Sequence, residues 1–300
     1  MDQIQRWVSE PPPDRLFEIT ETSLAAVSPK APGSHKHEFM AEKGILASPA
    51  APNVVKPQLY REALQRVSPI TEAKKHRTAA LVIPDYAVRM AMLDFEEFPA
   101  GEDERLALIR FRLRKTVPFH VEEATVSYAV QFTEAKRIEV LAVAIAQPIL
   151  TEYESVFTDA GYRVGIVTPS SLAALPLCSQ STQGLTVLAK SAGSTLSVLL
   201  IEKGRVRLVR CLDFGDAEGG EVRPEAHIMP ALQQTFAYAE DQIGKPVSQL
   251  LLCGFGSETD DLGRLAETEF SIPYLPIRSK FGPATQANAG LLGLLEQYAA

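Results

Sequence analysis

Cysteine, histidine and hydroxyl side chains are the residues best able to hold a metal or attack a substrate, so their spacing is the first test of this chain. Cys178, Cys211 and Cys253 are its three cysteines, widely separated and with no C-x-x-C pair. That pattern suits neither a zinc site nor a disulfide framework. His35 and His37 offer two imidazoles, but clustered cysteine or carboxylate partners are missing around them, and a solvated pair is expected. His76 stands in a basic run with Lys74, Lys75 and Arg77 that reads as a solvated edge. Thr168-Pro169-Ser170-Ser171 presents hydroxyls, yet no His–Asp partner is identifiable to activate one, so a turn is expected. Tyr86, Phe95, Phe98, Phe111 and Phe119 could line a peptide groove, although their spacing suits core packing equally. Gly254-Phe255-Gly256-Ser257 is a glycine turn of the kind that any strand-to-helix connection can use.

The elements that would position these residues follow from composition and pattern. The chain has 300 residues, a net charge of -7, 46% hydrophobic and 22% charged residues. The length suits one large domain or two lobes. The acidic balance argues against a nucleic-acid partner. The longest apolar runs, such as Val140–Ala146 and Leu196–Ile201, fall far short of the roughly 18–20 residues that span a bilayer, so no direct membrane insertion is expected. Met1–Arg6 shows no basic segment followed by an apolar one, and a cytoplasmic protein without a secretory leader is the expectation.

Eight of the 21 prolines lie between Pro11 and Pro57. Within that stretch Leu16–Val27 alternates as a short hairpin, and residues 28–57 read as a loop-rich connection. Leu59–Val67 has helical spacing. Ala79–Ile83 and Val88–Phe95 read as strands. Glu102–Val117 is a helix with Leu106, Ile109, Leu113 and Val117 on one face, acidic at its start and basic at Arg112, Arg114 and Lys115. Thr125–Phe132 and Ile138–Ala146 pair across a polar turn, and Pro148–Ala160 is a helix between a proline and Gly161. A meander follows at Leu185–Ala189, Thr195–Ile201 and Arg205–Leu212. After it come a helix at Pro224–Ile243, a buried strand at Leu250–Cys253, a helix over about Thr259–Phe270, a short strand near Pro273–Ile277 and a terminal helix at Thr285–Tyr298.

Four passages resemble the PilM-like type IV pilus assembly family of the actin-like ATPase superfamily. Ala80–Phe95 resembles its strand ending in Ile-Pro with a following hairpin. Leu108–Tyr128, with Val117-Pro118-Phe119, Glu122-Glu123 and Tyr128, resembles the family's helix and the segment after it. Leu196–Phe214 resembles its central hairpin. Ala231–Ile272 resembles its long helix, strand, glycine turn and helix. The resemblance covers roughly residues 14–300 and implies an α/β fold of two lobes with ribonuclease-H-like sheets and a small inserted α+β subdomain. It divides the chain into 1–77, the first part of lobe one; 78–161, the insertion; and 162–300, the remainder of lobe one and lobe two.

The resemblance also implies a nucleotide cleft between the lobes, formed by two Asp-x-Gly-x-x-(Ser/Thr) turns and a glycine turn. Here Glu18 stands for the first aspartate and Thr20 for the first glycine, Glu21 adds a negative charge, and Ala25 replaces a lysine. The second turn, Ala189–Thr195, has Lys190 and no aspartate. Glu18, Thr22, Ser23, Lys190, Gly193, Ser194, Thr195, Gly254 and Gly256 are therefore the residues of a degenerate nucleotide site, with Phe255 placed to crowd or stack on a base. No catalytic residue and no metal ligand is assigned, and ATP with Mg²⁺ is the cofactor the resemblance admits. The implied partners are the N-terminal cytoplasmic tail of a PilN-like bitopic membrane protein and the pilus assembly motor. By resemblance the tail binds between the insertion and the first lobe, near Pro84, Tyr86, Arg112, Arg114 and Lys115. The reading is a scaffold peripheral to the inner membrane. The alternative is an ATP-binding or ATP-hydrolysing actin-like protein of a pilus, secretion or division machine.

Overall fold

Leu16, Phe17 and Ile19 are all buried although they are near neighbours on one strand, which requires cover on both faces of their sheet. The computed structural model describes residues 11–69, 77–134, 136–178, 184–215 and 224–298 and supplies that cover. Strands β1 (Arg15–Ile19), β2 (Ser23–Ser28), β3 (Ala31–Phe39), β4 (Arg77–Ile83) and β8 (Tyr162–Pro169) form the first sheet in the order β3-β2-β1-β4-β8. The first three are antiparallel, while β1, β4 and β8 run parallel. On one face Phe17, Ile19 and Leu81 pack with Tyr60 and Leu64 of helix α1 (Pro57–Val67) and with Tyr153 and Phe157 of α3 (Gln147–Thr158).

A second sheet repeats the pattern. Strands β9 (Leu185–Ala192), β10 (Thr195–Glu202), β11 (Arg205–Asp213), β12 (Val247–Cys253) and β13 (Tyr274–Pro276) lie in the order β11-β10-β9-β12-β13. Again three antiparallel strands precede two parallel ones. Helices α5 (Pro224–Tyr238) and α6 (Thr259–Phe270) cover one face through Ile228, Leu232, Phe236, Leu262 and Ala266. Helix α7 (Ala289–Tyr298) joins the lobes: Leu291, Leu292 and Leu295 share a core with Leu16 and Val82 of the first sheet and Leu188 and Leu199 of the second. It lies so close to the short helix α4 (Ser170–Ala173) that a Cβ on Gly293 would meet the Ala173 carbonyl oxygen at 2.0 Å, so only glycine fits there.

Between β4 and α3 a third sheet, β5-β7-β6, is built from β5 (Arg89–Phe95), β6 (Ala124–Glu134) and β7 (Arg137–Ala146). Helix α2 (Glu102–Leu113) covers one side, burying Ile109 and Leu113 on Val140, Ala142 and Ala144, with Leu106 half-buried.

Several expectations change. Residues 28–57 contain β3, an exposed edge strand whose composition is poor in β-formers and whose structure comes from pairing with β2. Helix α2 ends at Leu113, four residues before Val117, because Pro118 disfavours a helical residue before it. The insertion begins after β4, not at residue 78, since β4 is hydrogen-bonded between β1 and β8. Helix α3, also assigned to the insertion, packs in the first lobe. His76, Lys74 and Lys75 lie outside the described residues.

Candidate functional site

The turns that close the two central hairpins face each other across the lobes. β1 leads through Thr20–Thr22 to β2, and β9 leads through Gly193-Ser194 to β10. They almost touch: a Cβ on Gly193, which has φ 58°, would lie 2.9 Å from Glu21 Oε2. Glu21 also pairs with Lys43 at 3.1 Å. The cavity left between them has room for about 90 Å³ and is lined by Glu18, Thr20, Thr22, Ser23, Pro84, Asp85, Lys190, Gly193 and Thr195 among others.

Glu18 and Lys190 are each 1% exposed. Glu18 Oε1 accepts a short hydrogen bond from Ser170 Oγ, and Oε2 accepts one from Leu291 N at 2.7 Å. Burial pushes the Glu18 carboxyl above its ordinary value; the Lys190 charge and both hydrogen bonds oppose that, and Asp85 adds to it. Asp85 is the residue that sequence reasoning missed. Its Oδ1 accepts from Ser171 N and Oγ at 2.8 and 3.0 Å, and its Oδ2 from Ser197 Oγ of the second lobe at 2.7 Å. A Pro-Asp pair after an apolar strand signals only a turn, so nothing in the sequence marks Asp85 as buried.

The other expected nucleotide residues diverge. Ser23 Oγ is 2.7 Å from Thr20 Oγ1, Thr22 lines the cavity, and Ser194 Oγ turns away to Asp213 at 2.7 Å. Gly254 and Gly256 border a separate pocket beside Pro276 and Thr285. A Cβ on Gly254, with φ 85°, would clash with the Ser191 carbonyl oxygen at 2.1 Å, so its glycine serves packing. Phe255 is buried in the core of the second lobe rather than available to a base. The cavity is small for an ATP–Mg²⁺ unit, since small-molecule sites run to roughly 300–1,000 Å³, and Glu21 lies close against Gly193 across it. Among the described residues no group of three or more His, Cys, Asp or Glu side chains is placed to hold a metal. His37, on β3, packs its ring 4.3 Å from that of Phe39.

A larger groove lies elsewhere. It encloses about 580 Å³ between the inserted sheet and the first lobe, lined by Thr125, Ser127, Tyr128 and Ala129 of β6, Leu141, Val143 and Ile145 of β7, Leu150 and Glu154 of α3, Gly165–Pro169 of β8, and Ile83, Val88 and Leu172. β6 and β8 are both edge strands of their sheets. The Tyr128 hydroxyl is buried with no hydrogen-bond partner among the described residues, and burial raises the pKa of Glu154. The residues expected near a partner tail do not line this groove. Pro84 lines the small cleft, Tyr86 lies under Arg89 at 4.9 Å, Arg112 lies over Phe95 at 5.3 Å, and Arg114 pairs with Glu122. Lys115 follows α2 on the exposed side of the insertion. Sequence reasoning chose Arg112, Arg114 and Lys115 for their charge, whereas the groove is made by edge strands far apart in the chain.

No family model and no curated protein matches this chain in sequence. Solved structures do match its fold. The PilM–PilN type IV pilus biogenesis complex aligns at TM-score 0.75 and 15% identity, over 97% of this chain and 100% of that one. A Bacteroides thetaiotaomicron protein with an actin-like ATPase fold and unknown function aligns at 0.56 and 13% identity, over 94% and 95%. The cytoplasmic domain of EpsL, an inner-membrane component of the Vibrio cholerae type II secretion system, aligns at 0.51 and 12% identity, over 95% and 93%. The chain therefore has the actin-like ATPase fold. Its form of that fold is PilM-like and divergent.

Proposed function

We propose that this chain is a scaffold of type IV pilus assembly that holds the N-terminal cytoplasmic tail of a PilN-like bitopic protein at the inner membrane and links it to the assembly motor. The observation that carries this reading is the contrast between a small cleft of about 90 Å³ and a larger, mostly apolar groove of about 580 Å³. Two edge strands line that groove, and an extended peptide can add to such an edge through main-chain hydrogen bonds while its side chains fill apolar pockets. The likeness to a PilM–PilN complex supports a tail as the occupant. No helix among the described residues is long and apolar enough to cross a membrane, so attachment through a partner suits the reading. The cleft serves as a degenerate nucleotide site in this account, and ATP hydrolysis is no part of the function.

Gly165 provides the test. A Cβ built there meets nothing within 4 Å, so Gly165→Trp has space at its Cβ to place a ring at the groove. Titration of a labelled peptide from the N-terminus of the PilN-like protein should bind the wild type and lose about tenfold or more in affinity, about 1.4 kcal/mol, with the variant. Equal binding by the folded variant rejects the groove. A fluorescent ATP analogue with Mg²⁺ that saturates the wild type would favour the ATP-binding alternative.

A further inference from the structure

Among the described residues, Lys190 is the cleft-lining side chain whose buried polar atom makes no hydrogen bond. Its side chain is 1% exposed. A buried ammonium is costly unless other charges compensate it. The compensation here comes from the opposite lobe: Lys190 is on β9 of the second sheet, while Glu18 is on β1 of the first and Asp85 follows β4. Both carboxylates line the same cavity as Lys190, and both are held rigidly, Glu18 by Ser170 and Leu291 N, Asp85 by Ser171 and Ser197. The cavity that Lys190 lines, at about 90 Å³, has room for several water molecules.

A compact positive charge among fixed carboxylates and hydroxyls, with space for water, has the surroundings of a hard hydrated cation. We infer that Lys190 is a tethered cation: its ammonium does from within the chain what a bound cation would do, holding the carboxylates of one lobe to the second lobe. This rests on the degenerate-cleft reading and gives it a physical cause. The positive charge that a Mg²⁺ ion would bring among these carboxylates is already built in. It follows that removing the side chain turns the cavity into a cation site, open to a small alkylammonium ion or to Mg²⁺.

The test is thermal unfolding of the full chain as wild type, Lys190→Ala, Lys190→Met and Lys190→Arg. Wild type should show no change in Tm with propylammonium, Mg²⁺, or ATP with Mg²⁺. Lys190→Met, which keeps the volume and loses the charge, should unfold on the order of 10 °C lower. Lys190→Ala should fall similarly and recover part of that loss with propylammonium or Mg²⁺, and the recovery should vanish in Lys190→Ala/Glu18→Gln. If Lys190→Ala does not fold, folded yield in refolding buffer with propylammonium replaces Tm as the readout; recovered yield supports the inference and none overturns it. Lys190→Met failing to fold while Lys190→Arg folds also supports it. Lys190→Met with the wild-type Tm, or a folded Lys190→Ala that responds to neither cation, overturns it. A wild-type Tm raised by ATP with Mg²⁺ rejects the degenerate-cleft reading instead, whatever the variants do.

Discussion

At the scale of the residue, Glu18 shows how burial and hydrogen bonding compete. The largest influence on its carboxyl is loss of solvent, which raises its pKa; Lys190, Ser170 and Leu291 N favour the charged form and only partly offset it. A carboxyl whose pKa is higher folded than unfolded binds its proton more tightly in the native state. Stability is then greatest at low pH and falls as pH rises from about 4.3, the ordinary value, through the raised one. Glu18→Gln keeps an oxygen for Leu291 N and abolishes this titration. Urea midpoints followed from acidic to neutral pH should decline less steeply in the variant than in the wild type. Part of the slope should remain, because burial also raises Glu139 and Glu154. Identical slopes would show that Glu18 does not titrate in this range.

At the scale of the element, helix α2 is the clearest case of sequence determining structure. Its apolar positions place Ile109 and Leu113 in one core with Leu93 and Val140, and its first turn carries Glu102, Asp103 and Glu104 against Arg110 and Arg112 in the last, which complements the helix dipole. Leu113 is fully buried. Leu113→Ala should cost about 2–5 kcal/mol, the loss of transfer energy plus a cavity, read as a shift of the urea midpoint. A variant as stable as the wild type would mean that the helix does not pack on β7. Phe111, on the same helix, is 66% exposed and shows that aromatic type alone does not assign a residue to the core.

At the scale of the molecule, the insertion is fastened to the second lobe as well as the first. Gln131 of β6 accepts from Arg205 through its carbonyl at 2.6 Å and from Val206 N through Oε1 at 2.8 Å. Arg207 reaches Glu139 of β7 at 3.3 Å and Glu202 of β10 at 3.5 Å, and lies 4.1 Å over the Phe132 ring. Arg207 is buried with both carboxylates; without it Glu139 keeps Arg137 at 3.3 Å and Glu202 keeps Lys245, so removing it weakens the compensation of two buried charges and costs less than the roughly 3–5 kcal/mol of breaking an isolated buried pair. Arg207→Met should therefore speed hydrogen exchange in β6 and β7 while leaving β1 and β2 protected. Exchange that rises equally in all four strands would show that the contact supports the whole fold rather than the seating of the insertion.

Local chemistry determined most of the elements. The alternation in Leu16–Val27, the face of Glu102–Leu113, the glycine stop at Gly244 (φ 70°) and the helix at Thr259–Phe270 are all written in neighbouring residues, because hydrogen bonding and side-chain periodicity within an element are short-range. The repeated order of strands in two sheets was legible only through resemblance to a known family. What tertiary structure alone decided is where the ends of those elements meet. Asp85 and Ser197 are 112 positions apart and Glu18 and Leu291 are 273 apart. Thr125 and Gly165 face one groove from two different sheets. No spacing rule joins such residues, since they are neighbours only after helices and sheets have packed. Lys190 shows the division most plainly: the sequence presents a lysine where an aspartate was expected, and only packing reveals that its charge is buried with carboxylates from the opposite lobe.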